Sequence, residues 1–403
     1  MTAFLLTWNP ENFATSGGGS VKTLDYAVGE EVSWSCSSQQ PQVGDRVYLI
    51  RLGKHQHPKG IVASGTVTLE SFDDTHWSDS SKQVSYIKFQ IEDFRRSCAE
   101  GLLPMLLLRT AFPEQQWSPN SSGIEIKKAS IEVLDDIWQR SKGQHSLATT
   151  LQWCFEKRGD DGQWFERYRS LINDVKQAKE TQVISDELLK SLWFDRNNGV
   201  SSVAPAGIPS SDYSQNIDWL REITFRIFNS PDKETLIAIY GEWQEHFSRT
   251  YWAVIQRVFS AADPENLTTL VSHKYLARVA DVIEKQFQIP IEKNKNWCVL
   301  NHNLTAAVTP WLQEGWEVHE RNIALWSIYV HDERLKKQGQ QGGKIPAKGE
   351  EVVSENNQES VDYRPLGTNT ILYGPPGTGK TYHTVEAAVR AADPEFKDVQ
   401  DRP

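Results

Sequence analysis

Apolar and polar residues alternate along the first third of the chain. The stretches FLLTW (4–8), DRVYLIRL (45–52), GIVASGTVTLE (60–70) and VSYIKFQIEDF (84–94) are rich in β-branched and aromatic residues. Gly, Pro, Ser and Asp separate them, so each reads as a short strand. Together they predict a small curved β-barrel or strongly curved sheet. SIEVLDDIWQR (130–140) changes period: Ile131, Leu134 and Trp138 share one helical face and predict a closing helix.

Beyond residue 147 the helical spacing persists. WFERYRSLINDVKQAKE (164–180) and YLARVADVIEKQF (275–287) are amphipathic. Ser185-Asp186-Glu187 ahead of LLKSLW has the composition of a helix start. The polar run NNGVSSVAPAGIPSSDYSQN (197–216) reads as an exposed loop. LWFDRNNGVSS and KNWCVLNHNLTAAVTPWL read as packed segments whose Trp residues belong to the core. Residues 336–366 are rich in Gly, Gln, Lys and Glu and predict a flexible linker. A last apolar strand, NTILY (369–373), follows. The expected architecture is therefore multidomain α+β: a β-rich domain over 1–140, a mostly helical domain over 147–335, the linker, and a terminal α/β segment over 367–403.

That segment carries the sharpest motif. Gly374-Pro375-Pro376-Gly377-Thr378-Gly379-Lys380-Thr381 matches the phosphate-binding loop GxxxxGK[ST], between an apolar strand and a plausible helix. Gly374, Gly377 and Gly379 allow backbone N–H groups to close on phosphate oxygens. Lys380 would reach the β- and γ-phosphates of GTP or ATP, and Thr381 would hold Mg²⁺. Hydrolysis also needs an acidic residue on a later strand and a group that senses the γ-phosphate. Such elements would follow residue 403, so nucleotide hydrolysis by this chain alone is not expected, and no catalytic residue is assigned.

Composition narrows the picture. The net charge is −10, and residues 1–140 carry 13 Lys/Arg against 17 Asp/Glu. Non-specific affinity for nucleic acid scales with the phosphates neutralised, so any such binding has to rest on a local site. Fifteen Trp residues offer material for stacking or for large cores. Cys36, Cys98, Cys154 and Cys298 form no CxxC pair and read as reduced, mostly buried thiols of a cytoplasmic protein. No apolar run approaches the length of a membrane span. His55, His57, His76 and His145 form no metal-binding or nuclease pattern.

FLLTWNPENF, VSWSCSSQQPQVGDRVYLIRLG, PKGIVASGTVT, DDTHW and WSPNSSGIEI, in that order, resemble the EVE domain of the PUA-like superfamily over about residues 1–140. The resemblance implies a small curved barrel that accepts a modified base, flipped from its strand, into an aromatic pocket. Trp34 in SWSCSS is similar in setting to the cage Trp of YTH-type readers. It is the first candidate wall, with Ser33, Ser35 and adjacent backbone as hydrogen-bond partners. Trp8 and Asn9 in TWNP come next, since an amide can donate and accept along a base edge. Trp77 in THW is a third possible wall. Each Trp could equally be a core aromatic. Gly44-Asp45 reads as a turn, and Arg46, Arg51, Lys54 and Lys59 either meet phosphates or are solvated surface.

A β-rich reader, a helical spacer and TNTILYGPPGTGKTYHT in one chain resemble the McrB family of modification-dependent restriction subunits. That family implies recognition of methylated or hydroxymethylated cytosine in DNA. It also implies an AAA+ ring that uses GTP or ATP, and a separate McrC-type nuclease subunit as partner. The alternative is a stand-alone, non-enzymatic module for modified DNA or RNA with a vestigial nucleotide-binding loop.

Overall fold

The computed structural model describes residues 2–11, 26–54, 58–76, 79–157, 162–203 and 207–341. The phosphate-binding loop, Gly374 to Thr381, and Trp77 lie outside the described residues. Residues 1–343 pack as one compact unit.

Among the described residues seven strands form one open mixed sheet: β1 (Ala3–Trp8), β2 (Glu31–Ser35), β3 (Arg46–Arg51), β4 (Gly60–His76), β5 (Asp79–Phe94), β6 (Leu103–Pro104) and β7 (Ile124–Glu125). Their order is β2-β5-β4-β3-β1-β7, with β6 on β4. The β1–β3 pair is parallel and the other pairs are antiparallel. The four expected strands are present, and β4 and β5 extend beyond their expected ends into a long hairpin.

Both faces of the central strands are covered, which is why FLLTW is apolar at consecutive positions instead of alternating. Leu5, Tyr48 and Ile50 point to one side, against α1 (Met105–Ala111) and α2 (Lys128–Arg140). The buried face of α2 carries Ile131, Leu134, Ile137 and Trp138, which includes the three residues its spacing picked out. Phe4, Leu6, Trp8, Val47 and Leu49 point to the other side and meet Val32 and Trp34 of β2.

Three strands separate β2 from β1 in the sheet, yet the Trp34 indole N–H donates to the Thr7 carbonyl at 3.1 Å. Ser37 N–H likewise donates to the Ser122 carbonyl at 2.9 Å. The sheet is therefore curled until its ends touch. No ladder joins β2 to β1 or β7 among the described residues, so the closed barrel is replaced by an open, curled sheet. Closure would need a register of paired backbone groups between the ends. Here one indole and one loop amide make the junction instead. Gly123 permits the approach: it sits at φ 93°, and a Cβ there would lie 2.2 Å from the Cys36 sulfur.

Arg95, at the end of β5, locks the sheet to α2. It is 1% exposed. It donates to the Gly101 carbonyl at 2.8 Å, to Ser141 Oγ at 2.6 Å and to the Trp138 carbonyl at 2.7 Å, and pairs with Asp93 at 2.8 Å. Its guanidinium lies 3.6 Å from the centre of the Trp138 ring. Every strong donor has an acceptor, the condition under which a buried charge is tolerated.

Among the described residues ten further helices follow: α3 (Ser146–Glu156), α4 (Gln163–Thr181), α5 (Asp186–Trp193), α6 (Ser210–Gln215), α7 (Ile217–Asn229), α8 (Lys233–His246), α9 (Trp252–Ala262), α10 (His273–Phe287), α11 (Trp297–Val308) and α12 (Val318–Gln341). Ser185 caps α5, as its sequence suggests, accepting from Leu188 N–H at 3.1 Å. The helical core reaches into the first half of the chain through Cys98, Leu102 and Leu106.

Three expectations are corrected. The segment 197–216 is not an exposed loop throughout: Asn198, Val200, Val203 and Ile208 are buried, and it ends in α6. Its polar composition masked a few apolar anchors. Next, α12 runs to Gln341, past the start of the expected linker; Lys336 supports it by pairing with Asp332 and Glu333 one turn earlier. Last, Trp193 and Trp297 are core residues as expected, but Trp311 is 39% exposed and stacks on His145.

Candidate nucleic-acid site

The parallel pairing of β1 with β3 sets Trp8 directly opposite Arg51 at the ends of their strands. Trp34 approaches from β2 across the curl. Trp8 and Trp34 are 6% and 7% exposed, so both rings are mostly enclosed by the sheet core. Their polar atoms differ. Trp34 N–H is satisfied by Thr7, whereas Trp8 N–H is buried with no hydrogen-bond partner among the described residues.

Arg51 has the same kind of vacancy. Its Nε donates to the Pro58 carbonyl at 2.8 Å and one Nη to the Arg96 carbonyl at 3.3 Å. The other Nη is buried and has no partner among the described residues. The guanidinium lies 6.0 Å from the centre of the Trp8 ring, and burial pulls its pKa down. Two neighbouring donors thus lack acceptors. An unmade buried hydrogen bond costs about 1–3 kcal/mol, so an acceptor arriving here is favoured by recovery of that loss.

The loops beside these donors are tied together. Asn9 Oδ1 accepts from Glu11 N–H at 3.1 Å, and Glu11 accepts from Lys54 N–H at 3.1 Å. Asn9 is half-buried beside Trp8. Strand alternation puts Ser33 and Ser35 on the opposite face of β2 from Trp34: Ser33 is exposed and Ser35 half-buried. Their adjacency in sequence to Trp34 therefore does not bring their hydroxyls to its ring. The structure brings Trp8, Asn9 and Trp34 to one end of the sheet, adds Arg51, and directs Ser33 and Ser35 elsewhere.

Other candidates take structural roles. Asp45 accepts from Thr2 and Gln42 amides beside Gly44 at φ 94°, the turn its sequence suggests. Arg46 bonds Glu92 and lies 3.5 Å from Asp135, so it is neutralised within the sheet. Lys54 is exposed. All four cysteines are free and buried. Burial pushes Cys98 up to about 11 and Cys154 and Cys298 up to about 12, so these thiols stay protonated and unreactive at neutral pH.

No family model, curated protein or solved structure matches this chain. Function has to be argued from the site itself. Sequence reasoning missed Arg51 as a partner of Trp8 because the parallel β1–β3 register is non-local. It missed Arg95 because nothing adjacent in sequence signals burial. No helix among the described residues is long and apolar enough to cross a membrane.

Proposed function

We propose that the N-terminal sheet recognises a modified nucleobase, flipped from its strand, at the Trp8–Trp34–Arg51 end. The observation that supports this most directly is the pair of orphaned donors, Trp8 N–H and an Arg51 Nη, beside aromatic surface. A pyrimidine offers acceptors along its Watson–Crick edge and a flat face for stacking. The EVE-like order of motifs and the curled sheet are consistent with a PUA-like reader. Entry of a base requires the Trp8 and Trp34 rings to part, because both are enclosed in the free protein. Affinity then depends on the captured base more than on phosphate contacts, in keeping with a domain that carries more acid than base.

On this reading the chain is the specificity part of a McrB-like, nucleotide-dependent restriction subunit acting in the cytoplasm on methylated or hydroxymethylated cytosine in DNA. Gly374–Thr381 would bind GTP or ATP with Mg²⁺, on the chemistry of the motif alone. An McrC-type nuclease and a ring of copies are the partners implied.

The test is a fluorescence titration with oligonucleotides that differ only in one cytosine: plain, methylated or hydroxymethylated. The expected result is tighter binding of a modified strand, with the preference reduced in Trp34→Ala. Equal affinity for all three strands overturns the proposal. A parallel titration with an RNA strand separates DNA from RNA recognition.

A further inference from the structure

A second cleft, of about 360 Å³, lies at the seam between α2 and α3, within the size range of small-molecule pockets. α3 supplies one stripe of it. Thr149, Gln152, Trp153 and Glu156 recur at helical spacing and all line the cleft. The opposite stripe of α3, with Leu147, Leu151 and Cys154, is buried in the helical core. α2 contributes Ile137 and Arg140. The amides of Gln144 and Gln313 complete the lining, Gln144 accepting from Gln313 at 2.7 Å.

Thr149 is the unusual member. Its side chain is buried, 9% exposed, and its hydroxyl has no hydrogen-bond partner among the described residues. A helical Thr ordinarily satisfies its hydroxyl on the carbonyl one turn back. Thr150, Thr224 and Thr305 do so at 2.8, 2.6 and 3.0 Å. Thr149 does not, and it faces a cleft. An unmade buried hydrogen bond is costly, so a group that enters the cleft and bonds this hydroxyl recovers that loss.

The rest of the lining defines what such a group can be. It carries one cation and one anion, each with a neighbour of its own. Arg140 pairs with Asp136 at 2.7 Å, and Glu156 accepts from Gln152 at 2.8 Å. No Lys lines the cleft among the described residues. The lining therefore selects no net charge. Its three side-chain amides each retain donor or acceptor capacity beyond the bond they make. With the Thr149 hydroxyl they present donors and acceptors in mixed order. Apolar surface comes from buried Ile137 and from the half-buried indole of Trp153, the one aromatic lining residue among the described residues. A single indole makes a platform and not a slot between two rings. The matching ligand is uncharged, has hydroxyls that both donate and accept, and offers an apolar C–H face.

We infer that this cleft binds a neutral sugar ring. The C–H face lies on Trp153, and the ring hydroxyls meet Thr149 and the Gln amides. A free monosaccharide and the ribose of a nucleoside present the same chemistry. The site shares no residue with the Trp8–Trp34 end and does not rest on that reading.

The test is saturation-transfer NMR on the full chain with D-glucose, D-galactose, D-mannose, D-ribose and cytidine, and with inorganic phosphate as competitor. At least one of the five is expected to bind, and phosphate should not displace it. Thr149→Val keeps the side-chain shape and removes only the hydroxyl. It should weaken binding about fivefold or more while the thermal midpoint stays level or rises, because an unpaired buried group is gone. Gln152→Ala, at a half-buried position, should weaken binding about threefold or more. Trp34→Ala should leave it unchanged, which separates this cleft from the sheet end. Binding of monosaccharides identifies a free-sugar site, and binding of cytidine alone identifies a nucleoside site. Binding of none of the five overturns the proposal, as does affinity unchanged in both α3 variants. A lower thermal midpoint in Thr149→Val also overturns it, since the hydroxyl would then have a partner in the free protein.

Discussion

Trp8→Phe removes a single donor while keeping an aromatic ring in the sheet core. If Trp8 N–H is unpaired in the free protein, its loss relieves a buried donor worth about 1–3 kcal/mol. The smaller ring forfeits about 1 kcal/mol of apolar burial at roughly 25 cal/mol per Å². The two nearly offset, so the variant should keep its stability or gain up to about 2 kcal/mol. That outcome is unusual for Trp-to-Phe in a core, where loss is the rule. Binding should move the other way. A captured base that accepts from the indole loses about 1–2 kcal/mol, a weakening of about 5- to 30-fold for the modified strand. Urea denaturation monitored by circular dichroism measures the first effect, and oligonucleotide titration the second. A stability loss above about 3 kcal/mol would mean that the indole has a native acceptor. Unchanged stability together with unchanged binding would assign Trp8 to packing alone and refute its part in recognition.

Arg95→Met leaves Asp93, Ser141 and two carbonyls without their shared donor, and should cost about 3–5 kcal/mol in denaturant unfolding. Gly123→Ala meets both a positive φ and the Cys36 sulfur, and should destabilise by about 2 kcal/mol or more; adding Cys36→Ala should restore part of that in a thermal melt. Burial pushes His145 down to about 4, and its ring nitrogen accepts from Leu147 N–H to cap α3. The unfolded chain therefore takes up a proton, near pH 6.5, that the folded form refuses. This contribution is complete above about pH 6.5 and is lost as pH falls toward 4. His145→Asn, which retains a capping oxygen, should flatten stability against pH across that window in urea titrations.

Local sequence settled part of the secondary structure. The β-branched and aromatic runs of β1, β3, β4 and β5, the 3.6-period face of α2 and the Ser185 cap all follow from local composition, spacing and the chemistry of a helix start, interactions that span a few residues. Trp8 and Trp34 were singled out from TWNP and SWSCSS, and the structure places both at one end of the sheet. Tertiary structure decided which residues they meet. Trp8 faces Arg51 only because two strands more than forty positions apart pair in parallel, and Trp34 joins them only because the sheet curls. The same alternation that buries Trp34 turns Ser33 and Ser35 away, so neighbours in the chain are not neighbours in the site. Period and propensity report which face a residue presents; which other face it meets is set by burial of the whole chain at once.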